Sequence, residues 1–167
     1  SVDRMMRLQR VRTRVSGPDG WSVEATVASW DLMGDPARRV VLHVSTHGYG
    51  DGKGREALRK RCARAEKPVW VSEAGDDDAS GLTLARRIVG DIRGLQPSAW
   101  CIWQAVDGGA GWGCIDLDLN GGGTEPRMNR KFDMFAQFTR FVRPGARFVA
   151  VDDESTVAAL KWDRLAV

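Results

Sequence analysis

The chain has 167 residues, 43% of them hydrophobic and 28% charged, with a formal net charge of +3. Such a chain is globular in character and long enough to bury a core as one domain. The basic excess lies in residues 4 to 14 and around Arg55 to Lys67 and reads as solvated helix faces; without a dense patch or a recognisable module, no nucleic-acid partner is expected.

In chain order, Ser1 to Arg10 holds no long apolar run, so it is read as neither signal peptide nor membrane span but as a possible unrelated junction, and no membrane partner is expected. Val11-Arg-Thr-Arg-Val15 alternates as a strand does. Val23, Val27 and Trp30 follow at helical spacing, leading towards Asp35-Pro36. The run Val40 to Tyr49 predicts a second strand, with Val40, Leu42, Val44 and Thr46 on one face and Val41, His43, Ser45 and His47 on the other. Leu58, Cys62 and Ala65 mark a helix. Pro68 then opens a short strand from Val69, closed by Gly75 and three aspartates, in which Val69, Val71 and Glu73 would share a face.

Ser80 is the expected N-cap of the next helix, whose apolar positions are Leu82, Ala85, Ile88, Val89, Ile92 and Leu95, with Pro97 as its stop. Ala99 to Gln104 predicts a fourth strand, with Ala99, Cys101 and Trp103 on one face and Cys101 a small core residue. The glycine runs 108–113 and 121–123 lack the Lys-Ser/Thr or dinucleotide spacing of phosphate loops and are read as a mobile loop. Phe132, Phe135, Ala136, Thr139 and Val142 describe a last helix with a phenylalanine core face, ended by Pro144-Gly145. Alternation of strand and helix through four units, near 11–34, 40–66, 69–95 and 99–142, is the signature of parallel β/α architecture.

Chemistry concentrates at the strand exits, where β/α barrels keep their active sites. Glu73 ends the third strand, and it is either a solvated strand-end glutamate or a catalytic carboxylate. His47 is either a site residue or a hydrogen-bonded interior histidine. Trp103 could serve as a platform for a pyranose, and Trp112 either touches a distal sugar or plugs the space under its loop. Three cysteines, an odd number without metal-ligand spacing, give no expectation of a metal site or other cofactor, and a Cys101–Cys114 pair stays open.

The strings HVSTHGYG, VWVSEAGDDDASGLTLARRIVGDI, LQPSAWCIWQAVDGGAGWG and KFDMFAQFTRFVRPGARFV resemble the second half of a glycoside hydrolase family 30 enzyme of the endo-β-1,6-galactanase type. The likeness covers roughly residues 11 to 160. It implies strands five to eight of a (β/α)8 barrel over residues 11–144, a truncated β-sandwich beginning at 145–167, and an extracellular full-length protein. It implies Glu73 as nucleophile; His47, Tyr49, Trp103, Gln104 and Trp112 as sugar-binding positions; a cis Trp103–Gln104 peptide; and a galactan-type polysaccharide or oligosaccharide as substrate.

A retaining glycosidase needs two carboxyl groups about 5 Å apart. The family's acid/base glutamate follows an asparagine on the fourth strand, before this chain begins, and no Asn-Glu pair occurs here. Asp31, Glu56, Asp76 and Asp107 do not match its position; Asp107 is the most available substitute. Loss of general acid catalysis costs about 10²- to 10⁴-fold, so the isolated chain is expected to be inactive on ordinary glycosides. The open sheet edges predict either a homodimer or pairing with a missing N-terminal half-barrel. Competing readings are a non-catalytic carbohydrate-binding remnant and a merely structural truncated product.

Overall fold

The computed structural model describes residues 2–118, 122 and 125–149. Two compact units divide the chain: one holds the residues up to Ala74 with Gly90–Ile102, the other holds Gly75–Val89 and the residues from Trp103 onward. The elements in order are α1 (Val2–Leu8), β1 (Gly20–Ser22), α2 (Val23–Leu32), α3 (Asp35–Val40), β2 (Val44–Tyr49), α4 (Arg55–Arg64), β3 (Val69–Ala74), α5 (Leu82–Gly94), β4 (Ala99–Ile102), β5 (Val106–Asp107), β6 (Ile115–Asp116), β7 (Arg127–Met128) and α6 (Arg130–Phe141).

In the first unit a four-stranded sheet runs in the order β1-β2-β3-β4, every pair parallel. Strands that are neighbours in sequence are also neighbours in the sheet, so no topological switch point of the doubly wound kind interrupts it. The core clusters Val23, Trp30, Val44, Leu58, Val69, Val71 and Leu95. Beside it, the hydroxyls of Thr26 and Thr46, both fully buried, satisfy each other at 2.7 Å.

Several sequence expectations shift here. The first strand is not Val11–Val15, whose residues are mostly exposed and of which only Val15 makes an isolated bridge to Val41. It is the three residues Gly20–Ser22, too short to carry a period. Ser22 passes directly into α2 and caps it, its Oγ accepting the Ala25 N–H at 3.1 Å. The run Val40–Tyr49 is not one strand: a bend at Leu42 and His43 resets the alternation, burying Val41 and Val44 while Leu42 is exposed. On β4, Trp100 packs against the core and Cys101 is exposed rather than buried. All three cysteines are free, and burial pushes the Cys62 thiol up to about 11.

The second unit contains a small sheet absent from the sequence reading: β5 pairs parallel with β6, and β6 antiparallel with β7. The glycine segment 108–113 is therefore the connection from β5 to β6. Residues 121 and 123, and residues 150–167 of the β-sandwich expected over 145–167, lie outside the described residues. α6 ends at Phe141, shortly before Pro144-Gly145, as expected. Its phenylalanines do not form a core face, however: Phe132 and Phe141 are exposed and the buried residue is Lys131. The ammonium of Lys131 reaches the carbonyls of Asp76 and of Gly111, the latter at 2.7 Å, and stands 3.3 Å from Asp76 Oδ1.

α5 buries Leu84, Ile88 and Asp91 at helical spacing, with buried Leu95 just past its end, and exposes Leu82. The start of α5 is governed by Asp78 as much as by Ser80. The Asp78 carboxylate accepts from the Ser80 hydroxyl at 2.6 Å and from the Thr83 N–H at 3.0 Å, whereas Ser80 Oγ is 3.4 Å from the Leu82 N–H. These donors, the Ser80 hydroxyl foremost, hold the Asp78 carboxyl well below the ordinary carboxylate value of 3.8. A depressed folded pKa contributes stability above the unfolded value and loses it as pH falls through the folded one. Asp78→Ala is expected to cost about 1 kcal/mol at neutral pH, with the difference from the unaltered chain shrinking on acidification. Urea unfolding of both at a series of pH values checks this; a difference independent of pH would refute it.

Candidate active site

Glu73 does not share a face with Val69 and Val71. The register between β2 and β3 slips between the Thr46–Val71 and His47–Glu73 pairs, and that between β3 and β4 slips between Val71–Trp100 and Ala74–Ile102. An extra residue on β3 turns Ser72 and Glu73 away from the core together and lets Ala74 take the buried place that alternation assigns to Glu73. Gly48 on β2 permits this packing, since a Cβ there would lie 2.9 Å from that of Ala74.

The bulge delivers the Glu73 carboxylate to two neighbours from β2. Tyr49 donates its hydroxyl to Oε1 at 2.9 Å, and His47 Nδ1 lies 3.4 Å from the same oxygen. The His47 and Tyr49 rings meet edge to face with centroids 5.9 Å apart. Glu73 and His47 are partly buried. Three residues singled out by the sequence thus converge at the carboxyl ends of adjacent parallel strands.

Two more groups complete the cluster and were missed from the sequence. Asp19 precedes β1 with φ at +61°, a left-handed conformation that aspartate tolerates better than most residues. Its Oδ1 accepts a hydrogen bond from the Ser72 hydroxyl and lies 3.8 Å from His47 Nε2. Only the Pro-Asp-Gly turn signal marked this segment, and it pointed to backbone geometry rather than chemistry.

The remaining sequence candidates belong to the second unit. The Trp103–Gln104 peptide is cis, and the Trp103 indole is 46% exposed. Gly75 is obligatory beside it, since a Cβ there would clash with the Trp103 carbonyl oxygen. Gln104 donates to Asp107 Oδ1 at 3.3 Å, and Asp107 Oδ2 accepts the Ala110 N–H, so Asp107 is engaged in shaping its own loop. Trp112 is partly buried in the loop held by Lys131. The other carboxylates have structural partners: Asp31 pairs with Nε and Nη2 of Arg61, Glu56 with Lys60, and Asp76 with Lys131.

A cavity of about 600 Å³ lies in the first unit, lined by Trp30, Asp31, Arg38, Arg61, Arg64 and Lys67 among others. These residues sit at the helix C-termini and before β3, at the strand end opposite Glu73. Arg38 satisfies the carbonyls of Trp30 and Asp31, and Lys67 that of Arg39. Its cations thus complete helix ends. Among the described residues no cluster of three or more His, Cys, Asp or Glu could hold a metal ion.

Over 146 residues the chain is 36% identical to an endo-β-1,6-galactanase of Hypocrea rufa, an alignment that takes in 87% of this chain. This chain is a relative of an endo-β-1,6-galactanase. It spans 30% of that galactanase's length. No family model matches it. Among solved structures, a conserved exported protein from Bacteroides fragilis superposes with a TM-score of 0.73 at 18% identity, over 93% of this chain and 42% of that one. The catalytic domain of a family 30 xylanase C from Talaromyces cellulolyticus gives 0.62 at 19%, over 84% and 34%. These structural likenesses establish a shared fold: mixed α/β with a parallel sheet, as in the family 30 xylanase. The galactanase likeness makes this a glycoside hydrolase homologue, as the sequence motifs led us to expect. No helix among the described residues is long and apolar enough to cross a membrane.

Proposed function

We propose that the chain is the nucleophile-bearing part of a retaining endo-β-glycanase of family 30 acting on β-1,6-galactan, with Glu73 as the nucleophile. The observation that carries this reading is the convergence on one oxygen: the Tyr49 hydroxyl donates to Glu73 Oε1 and His47 lies against it, which leaves Oε2 to attack the anomeric carbon. A hydroxyl donated to the carboxylate holds its plane fixed, as an attacking group requires. Trp103, Gln104 and Trp112 would contact the sugars, with no cofactor. The sequential parallel order β1-β2-β3-β4 supports residues 11–144 as strands five to eight of a (β/α)8 barrel; a β-sandwich would begin at residue 145. The outer strands of the sheet, β1 and β4, are where the rest of the barrel, or a second copy of the chain, would pair. The exported bacterial neighbour supports an extracellular setting.

Attack by Glu73 Oε2 forms the covalent glycosyl-enzyme as the aglycone oxygen departs with the bonding pair. That oxygen ordinarily takes a proton from the second carboxyl group. A dinitrophenolate leaving group needs no such proton, so the nucleophile can be tested without the acid. Dinitrophenyl 2-deoxy-2-fluoro-β-galactoside is expected to leave a covalent adduct on the peptide containing Glu73, read by mass spectrometry, and none on Glu73→Gln. An unlabelled chain, or equal labelling of the variant, overturns the proposal. The half-exposed Trp103 indole favours one second reading, a non-catalytic galactan-binding module, which predicts binding that survives Glu73→Gln without any adduct.

A further inference from the structure

We infer that Asp19 is a positioning residue for the nucleophile, acting through His47; the inference rests on the glycosidase reading of Glu73. The imidazole of His47 lies between two carboxylates, with Nδ1 3.4 Å from Glu73 Oε1 and Nε2 3.8 Å from Asp19 Oδ1. A ring engaged at one nitrogen alone can swing about its side-chain bonds, and engagement at both edges fixes its plane. The same Asp19 oxygen accepts the Ser72 hydroxyl, and Ser72 is the bulge residue immediately before Glu73. Asp19 therefore reaches the nucleophile by two routes, through the ring that faces its carboxylate and through the residue that sets its backbone.

An independent feature points the same way. Asp19 adopts φ +61° while its N–H is bonded to the Ser45 carbonyl at 2.9 Å. A left-handed non-glycine residue persists only where its surroundings hold it, and such residues gather at functional sites. Glycine would relieve the backbone, but it carries no carboxylate to aim at His47. The side chain is half exposed, so core packing does not explain it.

The trapping reaction separates positioning from direct sugar contact. Asp19→Asn retains a residue that tolerates the left-handed region but removes the charge facing Nε2. It is expected to lower the limiting rate of Glu73 labelling on the order of tenfold, as misplacement of a reacting group does, with the fluorosugar concentration for half-saturation unchanged. Ser72→Ala leaves Asp19 in place, guards against misfolding of the first variant, and is expected to slow labelling in the same direction. The chain has only two histidines, so the ring signals of His47 can be followed by NMR against those of His43; they are expected to be single in the unaltered chain and broadened or doubled in Asp19→Asn. Labelling of Asp19→Asn at the unaltered rate overturns the inference while leaving Glu73 as nucleophile. A rise in half-saturation alone overturns it in favour of a sugar contact. Failure of the unaltered chain to label removes the glycosidase reading itself, and the inference with it, whatever the ring signals do.

Discussion

Lys131→Met is expected to destabilise the second unit by about 3–5 kcal/mol, the usual consequence of removing one partner of a buried ion pair. The Lys131 side chain is fully buried, and its ammonium is held by Asp76 Oδ1 and by the carbonyls of Asp76, Gly111 and Trp112. Methionine fills much of the same volume and packs well, so the loss would come from acceptors left dry. Asp76 would suffer most: its Oδ2 is already buried without a hydrogen-bond partner, and without the ammonium its charge would be uncompensated. Urea unfolding measures the loss, and faster amide exchange at Gly111 and Trp112 would locate it in the loop. A second change, Asp76→Asn, should recover part of the stability by removing the stranded charge. A change within about 0.5 kcal/mol, the range of ordinary surface substitutions, would mean that water replaces the ammonium readily.

Arg55→Met is expected to have a loss of similar size in the first unit. Asp91 on α5 is fully buried, and its two oxygens are taken by Arg55 Nε and Trp100 Nε1, each at 2.8 Å. The arginine crosses α5 where Gly90 and Gly94 present no side chain; a Cβ at either would stand about 3 Å from it. Removing Arg55 leaves the carboxylate with one neutral donor in a nonpolar surrounding, a loss of about 3–5 kcal/mol. The double variant Arg55→Met with Asp91→Leu should be more stable than Arg55→Met alone, since it withdraws the charge together with its partner. If it is not, the pair serves packing rather than charge compensation.

Both ion pairs show where the sequence misleads. Periodicity marked α5 and α6 as helices and placed their stops correctly, because helical spacing and Pro-Gly terminators are local signals. It could not show that Asp91 lies on the buried stripe of α5, or that Lys131 rather than the phenylalanines is the buried residue of α6. A hydrophobic pattern treats charged residues as surface, and only a partner distant in sequence makes their burial tolerable. The three-residue β1 and the two-residue strands of the small sheet escaped for a related reason: they are too short to show a period and are held by pairing with distant chain.

The sequence by itself determined that strands alternate with helices, that Glu73, His47 and Tyr49 sit at strand exits, and that the motifs resemble those of a family 30 β-1,6-galactanase. All of these are carried by short runs of adjacent residues. Tertiary structure alone decided that Glu73 faces Tyr49 and His47, because strict alternation would have buried it beside Val71, and the bulge that turns it outward is defined by pairing with β2 and β4. It also brought in Asp19, 54 positions upstream, because the parallel pairing of β1 with β2 sets the residue before β1 beside a ring on β2.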